Sequence, residues 1–311
     1  MSKYFINVQG GTGLNIALAS FLTEAKKEHP EDEYNVCSPY YDIFDCCEAV
    51  DTVYNPQQMR DFIFDAKSVD GIIINHRIYD ISDFIYKKLN YSQAWAQLLG
   101  YKWDDTEKGT RVKSILKPYS KYPNLKQKVD EVLATIKKAG FEDFIIIQGT
   151  GGQSPLVQVP NGDWSKVPYN YAQEPLKRHY PIEKLQKFCE LYHKAHPKTA
   201  IVNYGLPNEP APDGDYIVKT IMPYLAWYEL AKFAKEVVCI DSSLQHLVAG
   251  LVKTTVIWAH SKPENFGYSY NKNIEQKCRT DDLLYFTALG PSGAKVEYIE
   301  PEDLMKAITN K

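Results

Sequence analysis

"EVVCIDSSLQHLVAGLV", residues 236–252, places an apolar strand-type run, a polar turn of Asp241, Ser242 and Ser243, and a helix-type run one after another. A buried strand that hands over directly to a helix is the repeating unit of an α/β sheet. The same change of pattern recurs in both directions. Strand-type runs bounded by turns are "KYFINVQG", "EYNVCSP", "DGIIINH", "DFIIIQGTG", "KTAIVNYG", "TTVIWAHS" and "KVEYIEP". Between them lie helix-type runs such as "NIALASFLTEAKKEHP", "SDFIYKKLNYSQAWAQLLG" and "PIEKLQKFCELYHKAHP". The alternation predicts parallel sheets with helices on both faces.

The pattern starts afresh near residue 141, and 311 residues suit two cores of about 150 residues each better than one. We expect residues 1–120 to form an N-terminal Rossmann-like domain, 121–140 a linker and helix, and 141–311 a C-terminal Rossmann-like domain. Leu125, Val129, Val132, Leu133 and Ile136 recur at helical spacing ahead of a capping Gly140. Ligands of such sheets sit beyond the carboxyl ends of the strands, so a central cleft faced by both sheets is the expected site.

Composition narrows the class. A 44% hydrophobic, 24% charged chain is ordinary for a globular protein. No apolar run approaches the ~20 residues of a transmembrane segment. The N-terminus runs into a strand without a secretory cleavage pattern, so a cytoplasmic location is expected, in a bacterium or a phage-infected cell. Six scattered cysteines read as reduced thiols, and a formal charge of −3 gives no global attraction to nucleic acid. The 23 tyrosines read chiefly as half-buried packing.

The polar turns carry the chemistry. "VQGGTGLNIALA", residues 8–19, follows the first strand, and Gly11 and Gly13 let backbone approach an anion at a helix N-terminus; a tight turn without a ligand also fits. Its spacing matches neither the dinucleotide fingerprint nor the P-loop, which disfavours a dehydrogenase or an ATPase. Gly149, Thr150 and Gly151 repeat the arrangement in the second half and can cradle a diphosphate. Arg178 has the donor fork that clamps phosphate, although a surface arginine fits its segment as well. Gly205 ends a strand, with Glu209 placed either to accept ribose hydroxyls or to cap a helix. Asp241 and Ser242 can cap the next helix, while Ser242, Ser243 and His246 can donate to phosphate or sugar.

Taken in order, "GTGG", "RHYP", "GLPNE", "DSSLQH" and "WAHSKPENFG" resemble the strand-end glycine turn, Lys-x-Trp-Pro, Gly-x-x-x-Glu, Asp-Ser/Thr-Gly-x-x-His and Gly-Pro-Thr elements of the ADP-heptose:lipopolysaccharide heptosyltransferases, glycosyltransferase family 9. The resemblance covers about residues 141–270, and more loosely the first strand and helix. It implies a GT-B fold and transfer of a hexosyl, heptosyl or pentosyl group from a nucleotide-diphospho-sugar, held mainly by the C-terminal domain, with inversion and without a bound metal or other cofactor. It implies Thr150 and Arg178 at the diphosphate, Glu209 at the ribose, and Asp241, Ser242, Ser243 and His246 at the phosphate and sugar. Arg178, Tyr180 and Ser243 stand where the family has lysine, tryptophan and glycine. The family's N-terminal Gly-Asp, source of its general base, is here Gly13-Leu14-Asn15.

Another base is therefore needed, and His76 and Asp80, in "INHRIYDISDF" after a strand, are the candidates. The Asp-x-Asp of "PDGDY", residues 212–216, reads as a turn rather than a metal site, and "HKAH", residues 193–196, has no third ligand in view. The expected acceptor is a surface oligosaccharide. Hydroxymethylated duplex DNA is the alternative, for which the basic residues of 108–128 would supply the contacts. A catalytically inactive nucleotide-binding protein is a third reading, because the family aspartate is missing.

Overall fold

The structure is a computed structural model that describes residues 1–75, 77–86, 88–104, 109–151, 179–206, 209–259, 261–278 and 296–309. The chain divides into two compact units, Met1–Asn124 with Pro263–Tyr270, and Leu125–Lys262 with Asn271–Lys311.

In the first unit β1 (Lys3–Asn7), β2 (Glu33–Cys37), β3 (Thr52–Tyr54) and β4 (Ile72–Ile74) form a parallel sheet in the order β3-β2-β1-β4. Helix α1 (Thr12–Glu28) buries Ile16, Leu18, Phe21, Leu22 and Ala25 and carries Lys26 and Lys27 in its last turn, whose charge suits a helix C-terminus. Helix α2 (Met59–Ser68) buries Phe62 and Ala66, with Phe62 edge-on to Phe5 of β1 at 5.5 Å. Helix α3 (Tyr91–Leu99) begins with a reciprocal capping box of Asn90 and Gln93 and stops at Gly100, whose φ of 74° favours glycine.

Residues 263–270 complete this unit. The side chain of Asn265, in the short helix Pro263–Phe266, donates from Nδ2 to the carbonyls of Phe84 and Leu89 at 3.0 and 2.8 Å. Thr110 N–H donates to Gly267 O at 2.9 Å, and Ser269 N–H to Thr110 O at 3.0 Å. Gly109 has a φ of 79°, and a Cβ there would lie 2.6 Å from Gly267 O, so only glycine fits.

The second unit starts with α4 (Leu125–Lys138), which buries Leu125, Val129, Val132 and Ile136 along one stripe. Then follow β5 (Asp143–Gln148), α5 (Ile182–Ala195), β6 (Thr199–Asn203), β7 (Ile217–Lys219), α6 (Tyr224–Ala231), β8 (Val237–Ile240), α7 (Ser243–Leu247), β9 (Thr254–Trp258) and β10 (Lys272–Glu275). All six strands are parallel, in the order β10-β9-β8-β5-β6-β7. A two-stranded ribbon pairs β11 (Lys277–Cys278) with β12 (Val296–Glu297), and α8 (Pro301–Thr309) packs on α5. Ile145, Ile147, Ile201, Val238, Ile240 and Ile257 from the central strands pack with Phe188 of α5 and Leu304 of α8. Each such side chain, fully buried, contributes about 1.5–3 kcal/mol. Strands covered on both faces explain why these runs are apolar throughout instead of alternating.

Candidate functional site

Counted from β5, the second sheet has the doubly wound order 3-2-1-4-5-6, with chain direction across the sheet reversing between β5 and β8. Connections leave these two strands toward opposite sides, the arrangement in which such sheets take ligands at the strands' carboxyl ends. The turns that occupy this switch point are Gly149–Gly151 after β5 and Asp241–Ser243 after β8, two of the motifs singled out above.

The turns touch. Gln148, the last residue of β5, accepts the Ser242 hydroxyl proton at Oε1. A Cβ on Gly151 would stand 3.1 Å from Ile240 Cδ1 and 3.2 Å from Ser242 Cβ, so the residue must be small for the turns to meet. Gly149 is needed for packing, since a Cβ there would fall 2.5 Å from Leu185 Cδ2. Its carbonyl accepts Tyr180 N–H at 2.7 Å, and buried Thr150 bridges His179, so residues 179–180 run beside this turn. Arg178 lies outside the described residues. Tyr180, at the family's tryptophan position, is a core residue whose hydroxyl donates to Ile299 O at 2.9 Å.

Several candidate donors and acceptors are already engaged. Ser242 is the N-cap of α7, and its Oγ accepts Leu244 N–H at 3.2 Å while its proton goes to Gln148. Asp241 is buried, with Oδ1 accepting from Gln245 Nε2 and Oδ2 from the Ser261 hydroxyl. Glu209 folds back so that Oε2 accepts Leu206 N–H at 2.9 Å, a course that the absent side chain of Gly205 leaves open. Ser243 is half-buried, and His246 is buried on α7. Burial pushes the Tyr204 phenol up in pKa, and the nearby Ser243 hydroxyl opposes that shift. The Tyr204 ring meets Trp227 edge-on at 4.9 Å, giving the β6 end an aromatic wall. Gln148, Tyr204 and Ser261 were not singled out in the sequence, where each is one polar or aromatic residue at a strand end.

The first unit has its own switch point, between β1 and β4. Gly10–Gly13 follow β1, Asn75 follows β4, and Asn7 Nδ2 donates to Asn75 Oδ1 at 3.1 Å. Gly10 has a φ of 130°. Gly11 is the N-cap of α1 with open space where a side chain would be, and Gly13 lies in the first turn of that helix. Asn15, at the family's aspartate element, is fully buried, donating to Gly11 O at 3.0 Å and accepting from Ser38 Oγ at 2.7 Å. Asp80 is exposed, accepts Arg77 N–H at 3.1 Å and pairs with the Arg77 guanidinium at 3.6 Å. His76 lies outside the described residues.

The acidic and histidine-rich motifs have local partners. Asp213 pairs with Lys219, and Gly214, with a φ of 143°, makes the turn before Tyr216. His193 stacks on Tyr216 at 4.3 Å, and His196 packs on Tyr192 at 4.6 Å. His29, Glu31 and Asp32 bring ligand-type atoms within 4.8 Å of one another, but Asp32 already accepts Ser2 N–H and the Tyr101 hydroxyl. Among the described residues no helix is long and apolar enough to cross a membrane.

No family model matches the sequence, and no curated protein matches it. Solved structures do match. A glycosyl transferase family 9 protein from Veillonella parvula aligns over 98% of this chain and 95% of its own at a TM-score of 0.62 and 12% identity. The Escherichia coli ADP-heptose LPS heptosyltransferase II aligns over 99% and 97% at 0.56 and 9% identity. The iron-containing dodecameric glycosyltransferase TibC from enterotoxigenic E. coli aligns over 90% of this chain and 65% of its own at 0.50 and 11% identity. Two doubly wound parallel units with this likeness define a GT-B fold. Within that class, the solved structures similar to this chain include glycosyltransferase family 9 and heptosyltransferase proteins.

Proposed function

We propose that the protein is an inverting, metal-independent glycosyltransferase that moves a sugar from a nucleotide-diphospho-sugar to an acceptor hydroxyl, here a surface oligosaccharide. The observation that carries this reading is the meeting of the Gly149–Gly151 and Asp241–Ser243 turns at the switch point of the second sheet. The fold likeness supports it.

In the proposed reaction the acceptor oxygen attacks the anomeric carbon as its bond to the diphosphate breaks, and the acceptor proton passes to a base. Thr150, Arg178, Ser243 and His246 are the residues proposed to bind the diphosphate and sugar, and Glu209 the ribose. Asp241 and Ser242 hold the turn through the bonds described above. Fixed donors aimed at the departing diphosphate supply electrostatic stabilisation, the part a metal plays in other transferases. His76 and Asp80 remain the proposed bases. Full turnover by both Asp80→Asn and His76→Ala would remove them.

Hydroxymethylated duplex DNA is the alternative acceptor, and part of the charge of the basic stretch 108–128 is engaged in local pairs while Lys113 and Lys121 are exposed. Lys117 pairs with Glu48, Lys126 with Asp130 and Lys128 with Glu131, and Arg111 donates to Asp104 O.

Heat unfolding in the presence of ADP-, UDP-, GDP- and CMP-linked sugars tests the reading. A bound donor at 100 times its Kd adds about 2.7 kcal/mol to stability. A rise in melting temperature with at least one donor is expected, and no rise with any of the four would overturn the assignment.

A further inference from the structure

The Ser242 hydroxyl has one proton to give. Its oxygen already accepts Leu244 N–H, and its proton is directed at Gln148 Oε1. A serine held this way can accept from a ligand but cannot donate to one. An oligophosphate oxygen needs donors, so the group at this switch point that would bind it must be found elsewhere.

Gln148 meets that need. It is 4% exposed at the end of β5, between the two turns. The Ser242 proton goes to Gln148 Oε1, so the carboxamide presents oxygen to the serine and its amide nitrogen points the other way. Nε2 has no hydrogen-bond partner among the described residues. It lies 3.5 Å from where a Gly151 Cβ would be, so among the described residues the turn places no side chain over the nitrogen on that side. Gln148 is nearly buried while Nε2 is not fully enclosed, so this donor stays reachable and gains a strong bond when an anionic oxygen arrives.

We infer that Gln148, through Nε2, is the side-chain donor that the switch point presents to a diphosphate oxygen, while Ser242 serves to orient Gln148. This deepens the donor-site reading above and rests on it. One carboxamide then does two things: it joins the turns after β5 and β8 through its oxygen, and it reads the ligand through its nitrogen.

Calorimetric titration of the full chain with inorganic pyrophosphate, ADP and UDP tests the assignment. The proteins compared are wild type, Gln148→Glu, Gln148→Met and Ser242→Ala. Gln148→Glu keeps an acceptor for Ser242 but replaces the donor with an acceptor, and Gln148→Met removes the donor without adding charge. Both should weaken binding at least tenfold. Ser242→Ala, which removes the group orienting Gln148 but leaves Nε2 in place, should weaken binding less than Gln148→Met does, with a lower melting temperature from the lost cap. If either Gln148 variant binds as wild type does, or if Ser242→Ala loses tenfold and Gln148→Met does not, the role given to Gln148 falls and the donor-site reading stands. If wild type binds none of the three probes, both fall.

Discussion

Replacing Asn265 by leucine tests whether residues 263–270 are a structural part of the first unit. Asn265 is fully buried, and its Nδ2 serves two carbonyls, Phe84 O at 3.0 Å and Leu89 O at 2.8 Å. Leucine has a similar volume and no donor, so both carbonyls lose a partner where water is largely excluded. Each loss costs about 1–3 kcal/mol. Against this, Asn265 Oδ1 is itself buried without a partner, and its removal returns about 1 kcal/mol. The net destabilisation is then about 3 kcal/mol, which corresponds to about 150-fold faster opening. Native-state hydrogen exchange read on peptides should show that acceleration over Tyr91–Leu99, with Asp143–Gln148 within about threefold of wild type. Unchanged exchange over Tyr91–Leu99 would refute the accounting of the two carbonyls. Equal acceleration in both segments would refute the assignment of Asn265 to the first unit.

Three further outcomes are expected. Burial, then Asp42 and Asp45, push the Cys46 thiol from 9.0 to about 12, so between those values the folded protein keeps a proton that the unfolded chain has lost. Stability is therefore complete below pH ~9 and falls as pH rises toward ~12; raising pH from 8 to 10 costs about 1.4 kcal/mol in denaturant titrations, a loss that Cys46→Ala removes. Gly149→Ala forces a methyl to 2.5 Å from Leu185 Cδ2 and should destabilise by about 1–3 kcal/mol, with Leu185→Ala recovering part of it in a double-mutant cycle. Asp241→Ala leaves the Ser261 hydroxyl and Gln245 amide without their acceptor and should lower stability by about 2–3 kcal/mol; Ser261→Ala should cost less, and additive effects of the two would contradict a shared bond.

The architecture was readable because it depends on local pattern. "DFIIIQ", "TAIVN", "VVCI" and "TTVIW" are apolar over the length of a strand, and each is followed by glycine, asparagine, aspartate or histidine near its end. The reading of 125–136 as a one-faced helix ahead of Gly140 needed only residues three or four apart. The candidate site was legible only as a set of strand-end turns, because carboxyl ends of parallel strands collect ligands whatever the strand order. The condition of its residues was not. In sequence Asp241 and Ser242 read as caps or ligand groups and Glu209 as a cap or a ribose acceptor, whereas their actual partners are Gln245 and Ser261, Gln148 and Leu244, and Leu206.

By itself the sequence determined two runs of alternating strands and helices, the polar turns between them, and the families of fold that such turns resemble. Tertiary structure alone decided that β5 lies beside β8, that Gln148 therefore meets Ser242 across 94 positions of chain, and that residues 263–270 belong with the first unit. The physical reason is one of range. Helix and strand propensity act between residues a few positions apart, whereas a hydrogen bond between distant residues exists only once strand order has brought them together.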